Sequence, residues 1–289
     1  MSHVSPVITG QTALYGIVGH PVTHSRSPQM QAAAFQRVGM DAVYVALPVP
    51  PDRLDDALRG AHALGFEGLN VTVPHKQAAL RACVIADEVA EQVGAVNTLR
   101  RHPGGWEGFN TDALATKALL AEAGVGRGTR ALLLGAGGAA RAAAWALLQL
   151  GVELRVASRR AEVAAELVDG LRETAPDGAP RSAAVTMAEL RAEAPAADVI
   201  VNGTSVGLHG HEPSFPDLVF RAGQLALDFV YGETAFASAA LAAGARLVRG
   251  EAILVRQGAL AFTLWTGHPA PEAEMAAAVA RAAPARSNR

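Results

Sequence analysis

Lys76 and Asp112 are the residues best suited to chemistry in this chain. Lys76 ends the stretch Gly68-Leu69-Asn70-Val71-Thr72-Val73-Pro74-His75-Lys76, which is apolar and β-prone up to Val73 and is then stopped by a proline. That pattern presents an ammonium group at the end of a strand. Asp112 follows Asn110-Thr111 and opens an alanine-rich, helix-like run. A lysine and an aspartate delivered to one site are what proton transfer to or from a hydroxyl requires.

A second signal lies just downstream. Leu132-Leu133-Leu134 runs into Gly135-Ala136-Gly137-Gly138-Ala139-Ala140, a strand entering a glycine turn and then a helix. Gly135, Gly137 and Ala140 fit the G-x-G-x-x-A form of the dinucleotide fingerprint. The first glycine makes the turn, the second lets backbone approach a pyrophosphate, and the small third residue allows close helix–strand packing. The next strand ends in Val156-Ala157-Ser158-Arg159-Arg160, where an NAD-binding chain usually carries an acid. Serine and two guanidinium groups suit a 2′-phosphate instead, so NADP is the expected cofactor. Arginines at a helix start oppose its dipole unless an anion sits there.

The elements that must position these groups alternate between strand and helix. Strands are expected at 14–19, 42–49, 69–73, 131–134, 154–157, 198–202, 225–230 and 246–248. Helices are expected at 28–38, 52–64, 112–123, 139–150, 161–172, 235–243 and 250–265. Segments 96–100 and 106–109 form a short pair around Pro103-Gly104-Gly105. Such alternation predicts an α/β fold of parallel sheets covered by helices on both faces. Gly124-Val125-Gly126-Arg127-Gly128 reads as a linker or tight turn between the two halves.

Composition narrows the function. The chain has 289 residues, half of them hydrophobic and 18% charged, enough for a substantial core. A net charge of −2 gives no field to recruit nucleic acid or an anionic membrane. The only cysteine, Cys83, rules out an internal disulfide, suits a cytoplasmic protein and reads as a buried structural thiol. Residues 1–11 lack the basic and apolar regions of a secretory signal. The tail from Pro284 to Arg289 carries no expected function. No metal-ligand spacing links His20, His24 and His75, so no metal is expected.

The motifs together carry a family resemblance. Tyr15-Gly16-Ile17-Val18-Gly19-His20-Pro21-Val22-Thr23-His24-Ser25-Arg26-Ser27-Pro28, Gly68–Lys76, Gly94-Ala95-Val96-Asn97-Thr98, Gly108-Phe109-Asn110-Thr111-Asp112, Asn202-Gly203-Thr204-Ser205-Val206-Gly207 and Gln257-Gly258-Ala259 with Phe262, Trp265, Thr266 and Gly267 follow in order. In this the chain resembles the shikimate dehydrogenase family over nearly its whole length. The resemblance implies a substrate domain over 1–111 and 250–289 and a Rossmann-type NADP domain over 112–249, with the active site in a cleft between them. It implies that Ser25, Ser27 and Tyr231 meet the substrate carboxylate, that Thr72, Asn97, Asp112 and Gln257 meet the ring hydroxyls, and that Lys76 with Asp112 carries the proton. It places Gly135, Ala136, Gly137, Gly138, Ala139, Ser158, Arg159, Arg160, Thr204 and Gly250 at the cofactor. The implied partner is a small molecule, with the protein a monomer or homodimer.

Taken singly, these residues also have plainer explanations. Ser27 or Asp112 could cap the helix that follows, Asn97 and Thr98 could be turn residues, and Gln257 could sit at a helix boundary. The chain departs from the family pattern at Gln31-Ala32, Ala115, Gly203, Glu233 and Ile253. These leave a quinate or amino-shikimate dehydrogenase as the near alternative. A catalytically silent NADP-binding sensor is the alternative of another class.

Overall fold

The computed structural model describes residues 8–176, 178–208 and 215–282. The chain divides into two compact units. The first takes the described residues up to Glu91, Ala95–Thr111 and the chain from Val255 onward; the second takes Gln92–Gly94 and Asp112–Leu254.

In chain order the first elements are β1 (Ala13–Gly19), α1 (Ser27–Val38), β2 (Ala42–Pro48), α2 (Leu54–Ala63), β3 (Phe66–Val71), α3 (Lys76–Arg81), β4 (Ile85–Ala86), α4 (Glu88–Val93), β5 (Thr98–His102), β6 (Gly105–Phe109) and α5 (Thr111–Glu122). Their strands make one sheet in the order β2-β1-β3-β5-β6-β4. β1 pairs in parallel with β2 and β3, but β5 runs antiparallel to both β3 and β6. This sheet is therefore mixed, not parallel as alternation alone predicts. The tight turn at Pro103–Gly105 leaves no room for a crossover, so the chain must return antiparallel.

The first unit recovers the end of the chain. From α10 (Gly250–Thr266), Trp265 donates its indole N–H to the Leu99 carbonyl at 2.9 Å. Its ring lies directly over Gly68, where a Cβ would overlap it, and 5.3 Å from the Tyr15 ring. Gln31 of α1 donates to the Gly258 carbonyl at 3.0 Å, giving this departure from the family pattern a structural task. Phe262, fully buried, packs 5.7 Å from Phe35.

The second unit contains β7 (Arg130–Leu134), α6 (Gly138–Gln149), β8 (Glu153–Ala157), α7 (Ala161–Thr174), β9 (Ser182–Val185), α8 (Leu190–Ala196), β10 (Val199–Asn202), β11 (Leu225–Asp228), α9 (Ala235–Ala242) and β12 (Arg246–Val248). α10 follows, and α11 (Glu272–Arg281) closes the described chain. The sheet order is β12-β11-β10-β7-β8-β9, and every neighbouring pair is parallel. Numbered within the sheet this is the doubly wound 3-2-1-4-5-6 arrangement, whose strand order reverses between β7 and β10. Four consecutive buried residues of β7, Ala131–Leu134, are what a strand covered on both faces requires.

The elements expected from sequence recur with ends shifted by a few residues. β4, β9, α4, α8 and α11 were not expected. They are short or alanine-rich, so burial rather than periodicity defines them. The glycine run at 124–128 lies inside the second unit, between α5 and β7, and the change of unit falls instead at Thr111–Asp112. The Pro284–Arg289 tail lies outside the described residues.

Replacing Phe262 with alanine is expected to cost about 3–5 kcal/mol, the range for emptying a buried aromatic site. The check is the denaturant midpoint of the variant against that of the parent protein.

Candidate functional site

In the first unit the sheet topology gathers polar side chains along one edge. β1 and β3 are parallel neighbours, so the segments after their C-terminal ends, carrying Ser25 and Ser27 on one side and Thr72 and Lys76 on the other, emerge together. β5 is antiparallel to β3, so the residue entering it, Asn97, lies at the same edge. β6 is antiparallel to β5 and delivers Thr111 there as well.

Each of these segments is fixed by local bonds. The turn after β3 closes through His75 N–H to the Thr72 carbonyl at 2.9 Å. The His75 ring is buried, with its Nε2 2.7 Å from the Val49 carbonyl. The Lys76 carbonyl accepts from Val96 N–H at 2.9 Å. Lys76, half-buried, is the first residue of α3. Ser25 Oγ accepts from Ser27 N–H at 3.2 Å. The capping explanation for Ser27 does not hold, because α1 already includes Ser27 and no side chain caps it. Asp112 is likewise inside its helix, the second residue of α5, and is buried.

Asn97 and Gln257 are not surface turn or boundary residues. Both are buried in one hydrogen-bonded network with Tyr44, Asn70, Thr98 and Thr111. Two backbone groups set its polarity. The Asn97 carbonyl can only accept, and Asn70 Nδ2 donates to it at 3.2 Å and to Thr98 Oγ1 at 3.1 Å. Asn70 Oδ1 is therefore turned to the Tyr44 hydroxyl, which donates to it at 2.7 Å. The Thr111 N–H can only donate, and it meets Asn97 Oδ1 at 2.7 Å. Asn97 Nδ2 is then left to donate to Thr111 Oγ1 at 2.9 Å and to Gln257 Oε1 at 3.4 Å. Such a surface offers hydroxyl-bearing ligands both donors and acceptors.

Sequence reasoning passed over Tyr44, Asn70 and Thr111. For Asn70 the signal was an asparagine inside the otherwise apolar β3, since a polar group buried in a sheet must find a partner.

The second unit builds a different site at its strand reversal. Gly135 leaves β7 with φ +104° and donates its N–H to the Ala157 carbonyl at 2.7 Å. A side chain there would meet the Gly203 carbonyl at 3.1 Å, so glycine is required on both counts. Gly203, where the family usually has alanine, passes so close to α6 that a Cβ would lie 2.8 Å from Ala140 Cα. Ala136 is buried, Gly137 is the exposed N-cap of α6, and Gly138 and Ala139 form its first turn. Ser158 Oγ accepts from Arg160 N–H at 3.4 Å, and Arg159 and Arg160 stand exposed before α7.

Asn202 and Asp228 end β10 and β11 and organise the loops beyond. Asn202 Oδ1 accepts from Thr204 N–H at 3.1 Å and from its hydroxyl at 2.7 Å. Asp228 accepts from Asn202 Nδ2 at 2.9 Å, Val230 N–H at 3.0 Å and Thr234 Oγ1 at 2.6 Å. Desolvation outweighs these donors and raises the Asp228 carboxyl above its ordinary 3.8. Gly250 lies against Tyr231, since a Cβ there would sit 2.9 Å from Tyr231 N. Among the described residues no group of three His, Cys, Asp or Glu could hold a metal ion, and no helix is long and apolar enough to cross a membrane. Cys83 is half-buried, donates to the Ala79 carbonyl at 3.1 Å, and has its thiol pushed up to about 12 by burial.

The residues present fit NADP. Nothing within 4 Å would meet a Cβ on Gly137, so the backbone at the start of α6 is open to a pyrophosphate. β8 ends in a serine and two exposed arginines where an acid would repel a 2′-phosphate. A doubly wound parallel sheet with this glycine turn, in a chain that also carries a mixed-sheet unit edged with hydroxyl, amide and lysine groups, defines a nucleotide-dependent α/β oxidoreductase. The chain belongs to the shikimate dehydrogenase family. Residues 17–99 match the shikimate dehydrogenase substrate binding domain, and residues 250–280 match the shikimate 5′-dehydrogenase C-terminal domain. The shikimate dehydrogenase (NADP(+)) of Anaeromyxobacter sp. (strain K) is 68% identical over 273 residues, covering 94% of this chain and 98% of the relative. The structure of shikimate 5-dehydrogenase from Thermus thermophilus with NADP(H) and shikimate is 36% identical, with TM-score 0.80, covering 93% of this chain and 99% of that one. Quinate dehydrogenase from Corynebacterium glutamicum with NAD is 30% identical, with TM-score 0.81, covering 92% of this chain and 98% of that one.

The raised Asp228 carboxyl makes a pH prediction. A carboxyl whose folded pKa exceeds its unfolded value contributes stability that is fully present below the unfolded pKa. That contribution is lost as pH rises through the folded pKa. Asp228→Asn keeps the side chain's size without the charge, so its melting temperature should fall less than that of the parent protein as pH rises above about 4. Parallel melting curves across pH would fail to support this if both proteins responded alike.

Proposed function

We propose that the protein is an NADP-dependent shikimate dehydrogenase, interconverting 3-dehydroshikimate and shikimate in aromatic amino-acid biosynthesis. The observation that carries this reading is the polar edge of the first sheet, where serine, threonine, amide and lysine groups gather as a small hydroxylated acid requires. The names of the relatives support the same reaction. Ser25, Ser27 and Tyr231 take the carboxylate, while Thr72, Asn97 and Gln257 take the ring hydroxyls. A site of this kind discriminates against analogues lacking a hydroxyl, because its own buried groups would be left unpaired.

NADPH, when bound, supplies the hydride that the carbonyl carbon receives. Gly135–Ala139 and the start of α6 hold the pyrophosphate, Ser158, Arg159 and Arg160 the 2′-phosphate, and Thr204 and Gly250 line the remainder. Lys76 stabilises negative charge developing on the carbonyl oxygen and gives that oxygen its proton. Asp112 orients the hydroxyl and relays a fresh proton from solvent to the lysine. In the oxidising direction the same groups take the proton away. All these residues come from one chain, so a monomer suffices and a homodimer adds nothing that the chemistry needs. A single half-buried cysteine agrees with a cytoplasmic setting.

Lys76→Met is expected to lower kcat by roughly 10²–10⁴-fold while leaving NADPH binding and the melting temperature intact. Asp112→Asn should also lose turnover, and the double variant should lose less than the product of the two. A Lys76→Met enzyme within a few-fold of the parent would remove the lysine from the mechanism. Assays with quinate in parallel decide between the two substrates.

Arg159→Ala should weaken NADP by roughly 1.5–3 kcal/mol, the worth of a charge-assisted bond set, with little effect on NAD. Equal losses for both cofactors would show that Arg159 does not meet the 2′-phosphate.

A further inference from the structure

Tyr44 stands behind the amide part of the proposed substrate site. It lies buried on β2, with its ring 6.3 Å from that of Trp265. Its hydroxyl gives its one proton to Asn70 Oδ1 at 2.7 Å. Asn70 hands the orientation on, donating to the Asn97 carbonyl and to Thr98 Oγ1, and Thr98 Oγ1 lies 3.2 Å from Asn97 Oδ1. Without the tyrosine proton the Asn70 oxygen would be buried and unpaired, and the amide would be held in place from one end only. A turned amide would put its oxygen against the Asn97 carbonyl, two acceptors face to face.

We infer that Tyr44 is a positioning residue for the reaction, acting through Asn70 on Asn97. The inference rests on the substrate reading above. Tyr44 meets no substrate atom in this account. It holds the other end of the Asn70 amide, and hence sets how firmly Asn97 is held where a ring hydroxyl arrives. Burial pushes the phenol well above 10, so the hydroxyl remains a neutral donor throughout the working pH range. A rigid ring held in the sheet is suited to this, having few torsions to freeze.

The test is Tyr44→Phe, which keeps the ring and removes the proton. KM for shikimate should rise about 3–10-fold, the weight of one ordinary hydrogen bond, with KM for NADP unchanged. In an Asn70→Ala background the same substitution should change KM for shikimate by less than about 2-fold, on the ordinary scale of uncoupled sites. Asn70→Ser, which cuts the link while leaving Tyr44 in place, should reproduce the rise, and it decides the question if Tyr44→Phe does not fold. Wild-type KM in Tyr44→Phe or Asn70→Ser overturns the inference. So does a variant that merely melts earlier, or one in which both substrates weaken alike. A parent protein that does not oxidise shikimate with NADP defeats the substrate reading itself, and the inference with it.

Discussion

The first unit is organised by the need to pair polar groups that the sheet buries. Asn70, Asn97, Thr98 and Thr111 lie where water does not reach, among apolar strands. An unpaired amide or hydroxyl in such a place costs more than an ordinary hydrogen bond contributes. The network therefore has to close, and it closes in one way, because a backbone carbonyl and a backbone N–H cannot exchange roles. Asn97 is the pivot. Its backbone carbonyl accepts from Val71 and Asn70, its N–H donates to the Phe109 carbonyl, and its side chain spans Thr111 and Gln257. One residue thus joins β3, β6 and two helices, which is why residues so distant in sequence reach one edge in a fixed arrangement.

The second unit meets the same demand at the ends of its strands. Asp228 is a carboxylate in a place that disfavours charge, and it is retained because three donors converge on it. Through those donors it holds Asn202, the chain beyond β11 and the start of α9. Asn202 in turn holds Thr204. The glycine turn after β7 has the opposite character. It relies on absent side chains, with Gly135 and Gly203 leaving the backbones close and the start of α6 open. One set of loops is fixed by polar contacts and the other by close approach.

The two sites call for different recognition. The first-unit edge is rich in amides and hydroxyls, groups that match a hydroxylated ring in both donor and acceptor sense. The second-unit edge offers backbone N–H groups and exposed guanidinium groups, which match phosphates. The chemistry of the two edges therefore suits them to different kinds of ligand.

The sequence alone determined the alternation of strands and helices, the glycine turn, the missing acid after β8, and the lysine placed at a strand end. These are local properties: propensity, turn chemistry and charge act within a few residues. The ordered run of motifs also pointed to the family before any contact was known. Tertiary structure decided the rest. It made the first sheet mixed, because the return at Pro103–Gly105 is too short for a crossover. It set the glycine run inside the second unit, kept the change of unit at Thr111–Asp112 that the family resemblance implies, and moved the return from residue 250 to Val255. It took Ser27 and Asp112 from capping positions into their helices. It turned His75 inward and drew Tyr44, which carries no motif signal, together with Asn70 of the Gly68–Lys76 motif into the support of Asn97. Which buried polar group pairs with which depends on strand register and on a helix returning from residue 250, and a chain read residue by residue contains neither until it folds.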